Sequence, residues 1–370
     1  MAQAAFFWNE RCFWHSGGNY ASVAPVGGLI EPLKAGGLPE NPETKRRLKS
    51  LMDVTGLIGD VTCPSAAPAT EEDLRRIHPA AYLESFRRIC AAGGGELTQG
   101  TPFGPDGFDI AALSAGLVKQ ALLSVLNGSA ENAYALSRPP GHHCLPDQSM
   151  GFCLLANIAV AIEAAIAGGL TERIAVVDWD VHHGNGTEGI FLDRGDVLTI
   201  SLHQENNFPR DSGGIATRGS GNGEGYNINI PLLPGGGHDS YLYAFERIVE
   251  PALTDFRPDV IIVACGYDAS GLDPLSRMLA SSETYREMTE RTMALANEFC
   301  DGRLVLAHEG GYSEVYVPFC GHAVIQALSG SDVVAPDPFA DRLRKQQANE
   351  RFRTLQRELI DEQAAFFGFS

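Results

Sequence analysis

Apolar residues along this chain gather into short β-branched runs at 133–136, 174–177, 197–202, 260–264 and 304–307. Each run is long enough for a strand and too short for a helix. The stretches 109–126, 154–167, 240–256, 282–299 and 321–328 carry apolar positions at helical spacing. Near-continuous apolar strands alternating with helices predict an α/β chain built on one central, mostly parallel sheet covered on both faces. Pro42-Glu43-Thr44 opens a further, basic-faced helix over 42–57. The charged tail 341–367 has helical periodicity and is expected on the outside of the fold or in a homo-oligomer contact. Segments 9–41 and 91–108 are rich in Gly and Pro and read as long functional loops or caps. No repeat or low-complexity linker divides the chain. Residues 1–370 are therefore expected to form a single domain, with 1–60 and 332–370 packed on it.

The chemistry sits where the apolar runs end. Run 133–136 leads into Arg138-Pro139-Pro140-Gly141-His142-His143, and 174–177 into Asp178-Trp179-Asp180-Val181-His182-His183-Gly184-Asn185-Gly186. Run 260–264 leads into Cys265-Gly266-Tyr267-Asp268, and 304–307 into His308-Glu309-Gly310-Gly311-Tyr312. In open parallel sheets ligand sites form at the carboxyl ends of strands, so these segments are expected to share one rim. Taken singly, each has a plainer explanation: a satisfied His-His turn, a helix-capping Asp268, a core Tyr312. Their convergence at successive strand ends outweighs those explanations, because buried polar groups are costly.

Asp180 and His182 are two apart and point the same way in an extended chain. With Asp268 they offer a metal two carboxylates and one imidazole and leave a position open, as in catalytic zinc sites. His142 and His143 supply imidazoles for proton transfer, and Tyr312 a hydrogen bond to a developing oxyanion. Asp178 and Asn185 are candidates to orient one histidine each. The carboxylate would make its partner the more basic of the two. His183 acquires no role.

Composition narrows the field. A net charge of −18 over 370 residues lacks the basic face that direct nucleic-acid binding requires. The eight cysteines form no C-x-x-C pair, which fits neither a disulfide framework nor a structural zinc cluster and suits a reducing compartment. Residues 1–8 are apolar but lack the basic start and cleavage site of a signal peptide, and no apolar run approaches a membrane span. A cytoplasmic protein is expected.

These motifs, together with Met150-Gly151-Phe152-Cys153, Ser201-Leu202-His203-Gln204, Asp273-Pro274-Leu275 and Glu309-Gly310-Gly311-Tyr312, resemble the zinc-dependent histone deacetylase and acetylpolyamine amidohydrolase superfamily. Asn185 gives the likeness a class II-like, bacterial character. The resemblance implies an arginase-deacetylase fold with one Zn2+ at the foot of a narrow tunnel. Gly151, Phe152 and Phe208 would line that tunnel, with Leu275 near its mouth. It further implies one or two structural K+ ions. The first would be held by Asp178, Asp180, His182, Ser201 and Leu202, and a second by Phe191, Arg194, Val197 and Tyr226. The reaction implied is hydrolysis of an acylated lysine side chain or a related acylated amine. The chain departs from the pattern at two points. The family's acidic rim residue has no clear match in 91–106, where Glu96 is nearest, and Leu275 stands where polyamine-selective members carry Glu. The alternatives are an acetylpolyamine deacetylase, an arginase-type ureohydrolase and a non-catalytic acyl-lysine reader. Gly184 and Ser270 stand where a second metal would need carboxylates, which argues against the ureohydrolase.

Overall fold

The computed structural model describes residues 3–16, 20–21, 24–31, 38–98 and 100–369. Its centre is a seven-stranded sheet. The strands are Ala5–Phe7 (β1), Asn132–Ala135 (β2), Ile174–Asp178 (β3), Val197–Gln204 (β4), Asn227–Leu232 (β5), Val260–Cys265 (β6) and Leu304–His308 (β7). Their order is β1-β2-β7-β6-β3-β4-β5, and every neighbouring pair is parallel. The expected sheet is therefore present, wholly parallel and flanked by helices.

Alternate strand residues feed two separate cores, which is why the strands read as unbroken apolar runs. Ile174, Val176, Ile262, Ala264, Val305 and Ala307 face a core shared with helices Ala80–Ala91, Gly107–Leu126 and Asn157–Ala167. Ala175, Val177, Ile261, Val263, Leu304 and Leu306 face the other core, under helices Glu43–Thr55, Ser282–Phe299 and Val317–Ser329. Helix Gly107–Leu126 is apolar and long enough to span a bilayer by length and composition, against the expectation that no segment would be. That apolar character is used up in the core, since most of the helix is buried.

Two sheet strands escaped the sequence pattern, as did the helices Glu71–Arg75 and Ala80–Ala91. β1 is only three residues long. β5 alternates Asn with Ile, and asparagine is depleted in strands. Both asparagines are buried and held by side chains: Thr199 Oγ1 donates to Asn227 Oδ1 (2.6 Å), while Asn227 and Asn229 Nδ2 donate to Glu188 Oε2 (2.8 and 2.6 Å). The helix expected over 240–256 is present as His238–Ala244 and Glu250–Phe256 joined by a π-turn, Phe245–Val249. The wide turn falls just ahead of Pro251, whose missing N–H would interrupt a regular ladder.

The tail forms helices Ala340–Gln346 and Glu350–Phe367. The longer one covers the outer edge of β5: Gln363 Nε2 donates to the Pro231 carbonyl (2.9 Å), and Gln356 Oε1 accepts from Leu233 N (3.2 Å). Its place is thus on its own chain, where it shields a sheet edge. Of the Gly-rich stretch 9–41, residues 17–19, 22–23 and 32–37 lie outside the described residues.

The basic face expected on helix Glu43–Thr55 is partly internal. Lys45 is buried with its Nζ 3.6 Å from Glu40. Glu40 also takes two hydrogen bonds from buried Arg138, from Nε (2.8 Å) and Nη2 (3.0 Å). Arg138 Nη1 donates to the carbonyls of Cys12, Phe13 and His15 (3.1, 3.1 and 2.9 Å), tying the first loop to the turn after β2. Burial raises the Glu40 carboxyl, but Arg138 and Lys45 outweigh it and hold the group at about 2, below its ordinary 4.5. A depressed carboxyl contributes stability that is complete above 4.5 and is lost as pH falls through that value toward 2. Arg138→Met is expected to cost about 3–5 kcal/mol, the scale of breaking a buried pair from one side, and to flatten this acid-induced loss. Urea unfolding of both proteins between pH 7 and pH 3 measures both effects.

Candidate active site

β2, β7, β6 and β3 are adjacent in the sheet, and the four polar motifs leave it from their carboxyl ends. The structure brings Asp180, His182 and Asp268 together: all are buried, and one ligand atom from each lies within 4.8 Å of the others. His182 Nδ1 is 3.0 Å from Asp180 Oδ1 and 3.1 Å from Asp268 Oδ2. Asp268 Oδ2 is buried without a hydrogen-bond partner among the described residues, while Asp268 Oδ1 accepts from Val181 N (2.8 Å). Burial and the neighbouring Asp180 raise the Asp268 carboxyl. For His182, burial works against protonation, but Asp268 and Asp180 raise it well above the ordinary imidazole range. Two carboxylates facing one imidazole nitrogen in a buried pocket call for a cation, and the donor set fits a divalent metal with one position open. The backbone crowds in to hold the set. A Cβ on Gly310 would lie 2.1 Å from Asp268 Oδ2 and 2.6 Å from Asp180 Oδ2. In its place the Gly310 N–H donates to Asp180 Oδ2 (2.8 Å).

The histidine pair stands beside this cluster, ring centroids 4.0 Å apart. His142 Nδ1 donates to Asp178 Oδ2 (2.9 Å) and His143 Nδ1 to Asn185 Oδ1 (2.7 Å). From the protein's own groups the two diverge. Burial lowers His142, but Asp180 and Asp178 lift it to about 10. His143 is pushed well below the usual range by burial and by its neighbours His142 and His182. The protein's own charges thus favour the proton on His142 and disfavour it on His143.

Above the cluster lies a cavity of about 530 Å³ whose wall includes His143, Gly151, Phe152, Phe208, Leu275 and Tyr312. All the tunnel residues expected from the resemblance are on it. Gly151 has a φ of +53°, and a Cβ there would come within 2.3 Å of the His143 ring. The Phe208 ring meets His143 edge-on at 5.0 Å, and Phe152 meets Tyr312 at 5.9 Å. Tyr312 is buried, its ring 6.3 Å from His182, and burial with Asp268 and Asp180 keeps its phenol far from ionising. The residues expected to hold K+ are also neighbours. Asp178 and Ser201 are directly paired across β3 and β4, and Ser201 Oγ accepts from Gly184 N (3.3 Å). Val197 opens β4 next to Phe191 and Tyr226, whose carbonyls accept from Arg194 N and Thr199 N (both 3.0 Å).

Three roles were missed at the sequence level. Glu309 is buried and its Oε2 accepts from Gly141 N (2.6 Å) and His142 N (3.1 Å), so it fixes the turn that carries the histidines. Burial raises it to about 7. Asp273 accepts from Tyr312 N (2.7 Å) and Leu275 N (2.9 Å), joining two walls of the cavity, and burial with Asp268 pushes it up to about 8. His183 lies between Ser212 Oγ (3.1 Å) and Glu188 Oε2 (3.2 Å), while its N–H donates to the Phe208 carbonyl (3.0 Å). It is a structural pin for the loop that bears Phe208. The available signal was that Glu309 and Asp273 each open a stretch that carries the family resemblance, Glu309-Gly310-Gly311-Tyr312 and Asp273-Pro274-Leu275.

Residues 38–328 match the model of the histone deacetylase domain. The chain is 56% identical over 366 residues to a histone deacetylase-like amidohydrolase of Pseudomonas aeruginosa, covering 99% of this chain and 96% of that protein. It is 38% identical over 311 residues to a probable deacetylase of Archaeoglobus fulgidus, covering 82% and 86% respectively. Among solved structures, the crystal structure of the HDA15 HD domain superposes with a TM-score of 0.81 at 30% identity, covering 98% of both chains.

The role of Glu309 is open to a direct test. Glu309→Gln keeps an acceptor for the two amides and should retain most deacetylation. Glu309→Ala leaves two buried donors unpaired, at about 1–3 kcal/mol each, and should lower kcat roughly tenfold or more. Equal turnover by the two variants would remove Glu309 from the positioning of the pair.

Proposed function

The chain belongs to the histone deacetylase domain family, and from that premise we propose that it is a zinc-dependent amidohydrolase acting on acylated lysine side chains or related acylated amines. The observation that carries this reading is the buried Asp180–His182–Asp268 cluster, whose His182 lines the cavity and whose Asp268 keeps one buried oxygen without a hydrogen bond among the described residues. Zinc held by these three side chains would supply Lewis acidity toward the acyl carbonyl and acidify a water. Everything else is done by the chain. His143, neutral and set in the cavity wall, accepts the proton of the attacking water and returns it to the leaving amine. His142, charged and hydrogen-bonded to Asp178, stays protonated and stabilises negative charge beside it. Tyr312 keeps its proton and donates a hydrogen bond to the oxyanion as it develops. Phe152 and Phe208 flank the linker of the substrate and exclude water from it.

Leu275 at the wall gives a polyamine's second ammonium no carboxylate to bind, so an acyl-lysine-like substrate fits better than an acetylpolyamine. We assign Asp178, Asp180, His182, Ser201 and Leu202 to one K+ and Phe191, Arg194, Val197 and Tyr226 to a second. Support for the second comes from the Phe191 and Tyr226 carbonyls, which accept one hydrogen bond each and keep a lone pair free.

Tyr312→Phe is expected to keep its zinc and lose roughly 100-fold in turnover of an acetyl-lysine peptide, the scale of one oxyanion donor. Near-normal rates would sink that role. Asp268→Ala is expected to lose zinc by elemental analysis, and full occupancy in that variant would place the third ligand elsewhere. Turnover of acetyl-lysine peptides, trifluoroacetyl-lysine and acetylpolyamines by the zinc-loaded protein tests the reading as a whole.

A further inference from the structure

We infer that Arg210 makes this site selective for acylated amines that carry a carboxylate beyond the linker, as a free Nε-acyl-amino acid or an acyl-lysine beside an acidic residue would. This rests on the function proposed above and names the substrate class within it. Arg210 lines the same cavity and, the histidines apart, is the only strongly basic or acidic side chain on its wall among the described residues. It is exposed, and among the described residues its guanidinium makes no hydrogen bond or ion pair. Among the described residues no carboxylate is on the wall to oppose it. Glu96 is engaged by its own turn, accepting from Gly100 N (3.3 Å), and is not on the wall. Asp211 follows Arg210 in a left-handed turn with a φ of +60° and is not on the wall.

The loop that presents Arg210 is held on both sides. Asn207 Nδ2 donates to the Leu275 carbonyl (3.2 Å), the Phe208 carbonyl accepts from His183 N (3.0 Å), and Ser212 Oγ donates to the Pro209 carbonyl (2.8 Å). The guanidinium is therefore attached to a fixed part of the wall. A chain with a net charge of −18 repels anions at long range. An unpaired guanidinium on the wall supplies the one local attraction, and its planar fork suits a carboxylate. A lysine linker reaching the metal cluster leaves its Cα, with any carboxylate on it, on the outer side of Phe152 and Phe208, the side open to Arg210.

The test uses the zinc-loaded enzyme and matched Nα-blocked trifluoroacetyl-lysine probes. One ends in a free α-carboxylate and one in a carboxamide; two further peptides place Asp or Lys next to the acyl-lysine. Wild type should favour the anionic member of each pair about three- to fivefold in kcat/KM, the scale of an exposed ion pair, and the difference should lie in KM. Arg210→Gln should equalise the pairs and Arg210→Glu should invert them, with the carboxamide probe turned over as by wild type in Arg210→Gln. A preference confined to the α-carboxylate pair identifies a free acyl-amino acid, and one present in both pairs identifies an acidic peptide. No preference in wild type, or one that persists in Arg210→Gln, overturns the assignment. Failure to hydrolyse any probe overturns the amidohydrolase reading instead. Calorimetric binding of the same probes then decides on Arg210, and equal affinities for charged and neutral members would reject it.

Discussion

The meeting of two carboxylates and an imidazole in a buried pocket is the constraint around which the rest of the molecule is arranged. Asp180 and Asp268 are both fully buried and both near His182 Nδ1, and such a grouping is repulsive unless something positive stands between them. The sheet makes it possible because β3 and β6 are neighbours in register, Ala264 opposite Asp178. The carboxylates just beyond these strands must then come close. The glycines at 266 and 310 follow from the same requirement, since a Cβ at either would lie 2.2 or 2.1 Å from a carboxylate oxygen. At 310 the missing side chain lets the backbone amide reach Asp180 Oδ2 (2.8 Å), and at 266 it leaves room for the same carboxylate.

Around this charge the chain builds a shell whose members hold backbone more than each other. Glu309 accepts from two amides of the turn after β2, Asp273 from the amides of Tyr312 and Leu275, and Arg138 donates to three carbonyls of the first loop. A loop fixed through its amides keeps its side chains in position with little rotameric freedom, which is what preorganisation for charge development requires. Burying these ions is costly unless every lone pair is engaged. One Asp268 oxygen and one Glu309 oxygen remain without a partner among the described residues, and the Asp268 oxygen belongs to the cluster that invites a metal.

The parts of this arrangement that the sequence disclosed are those in which residue type and position carry the chemistry together. Strands with both faces buried announce themselves as apolar runs, so β3, β4, β6 and β7 could be read, and the motifs at their ends followed. β5 could not be read, because its Asn227 and Asn229 are held by Thr199 and Glu188, partners distant in sequence. The same reason hid Glu309 and Asp273. A carboxylate that binds backbone amides looks in sequence like any loop acid, and only the fold says which amides it meets. Lys45 read as part of a solvated basic face because Glu40, the carboxylate that draws it inward, is contributed from outside its helix.

The division of labour between the two histidines follows from one difference in their partners. Asp178 and Asn185 occupy equivalent places behind His142 and His143, yet only one carries charge. The charged partner stabilises an imidazolium, and that imidazolium, 4.0 Å away ring to ring, disfavours a second one. The pair therefore holds one proton firmly and leaves the other site free to accept one. Proton affinity is assigned by a neighbouring charge and needs no difference in the histidines' own burial, since both are almost wholly enclosed. An amide at 185 consequently shapes the pair's proton affinities as much as the carboxylate at 178. A second carboxylate behind His143 would raise its proton affinity too and narrow the difference on which the proposed acid and base roles rest.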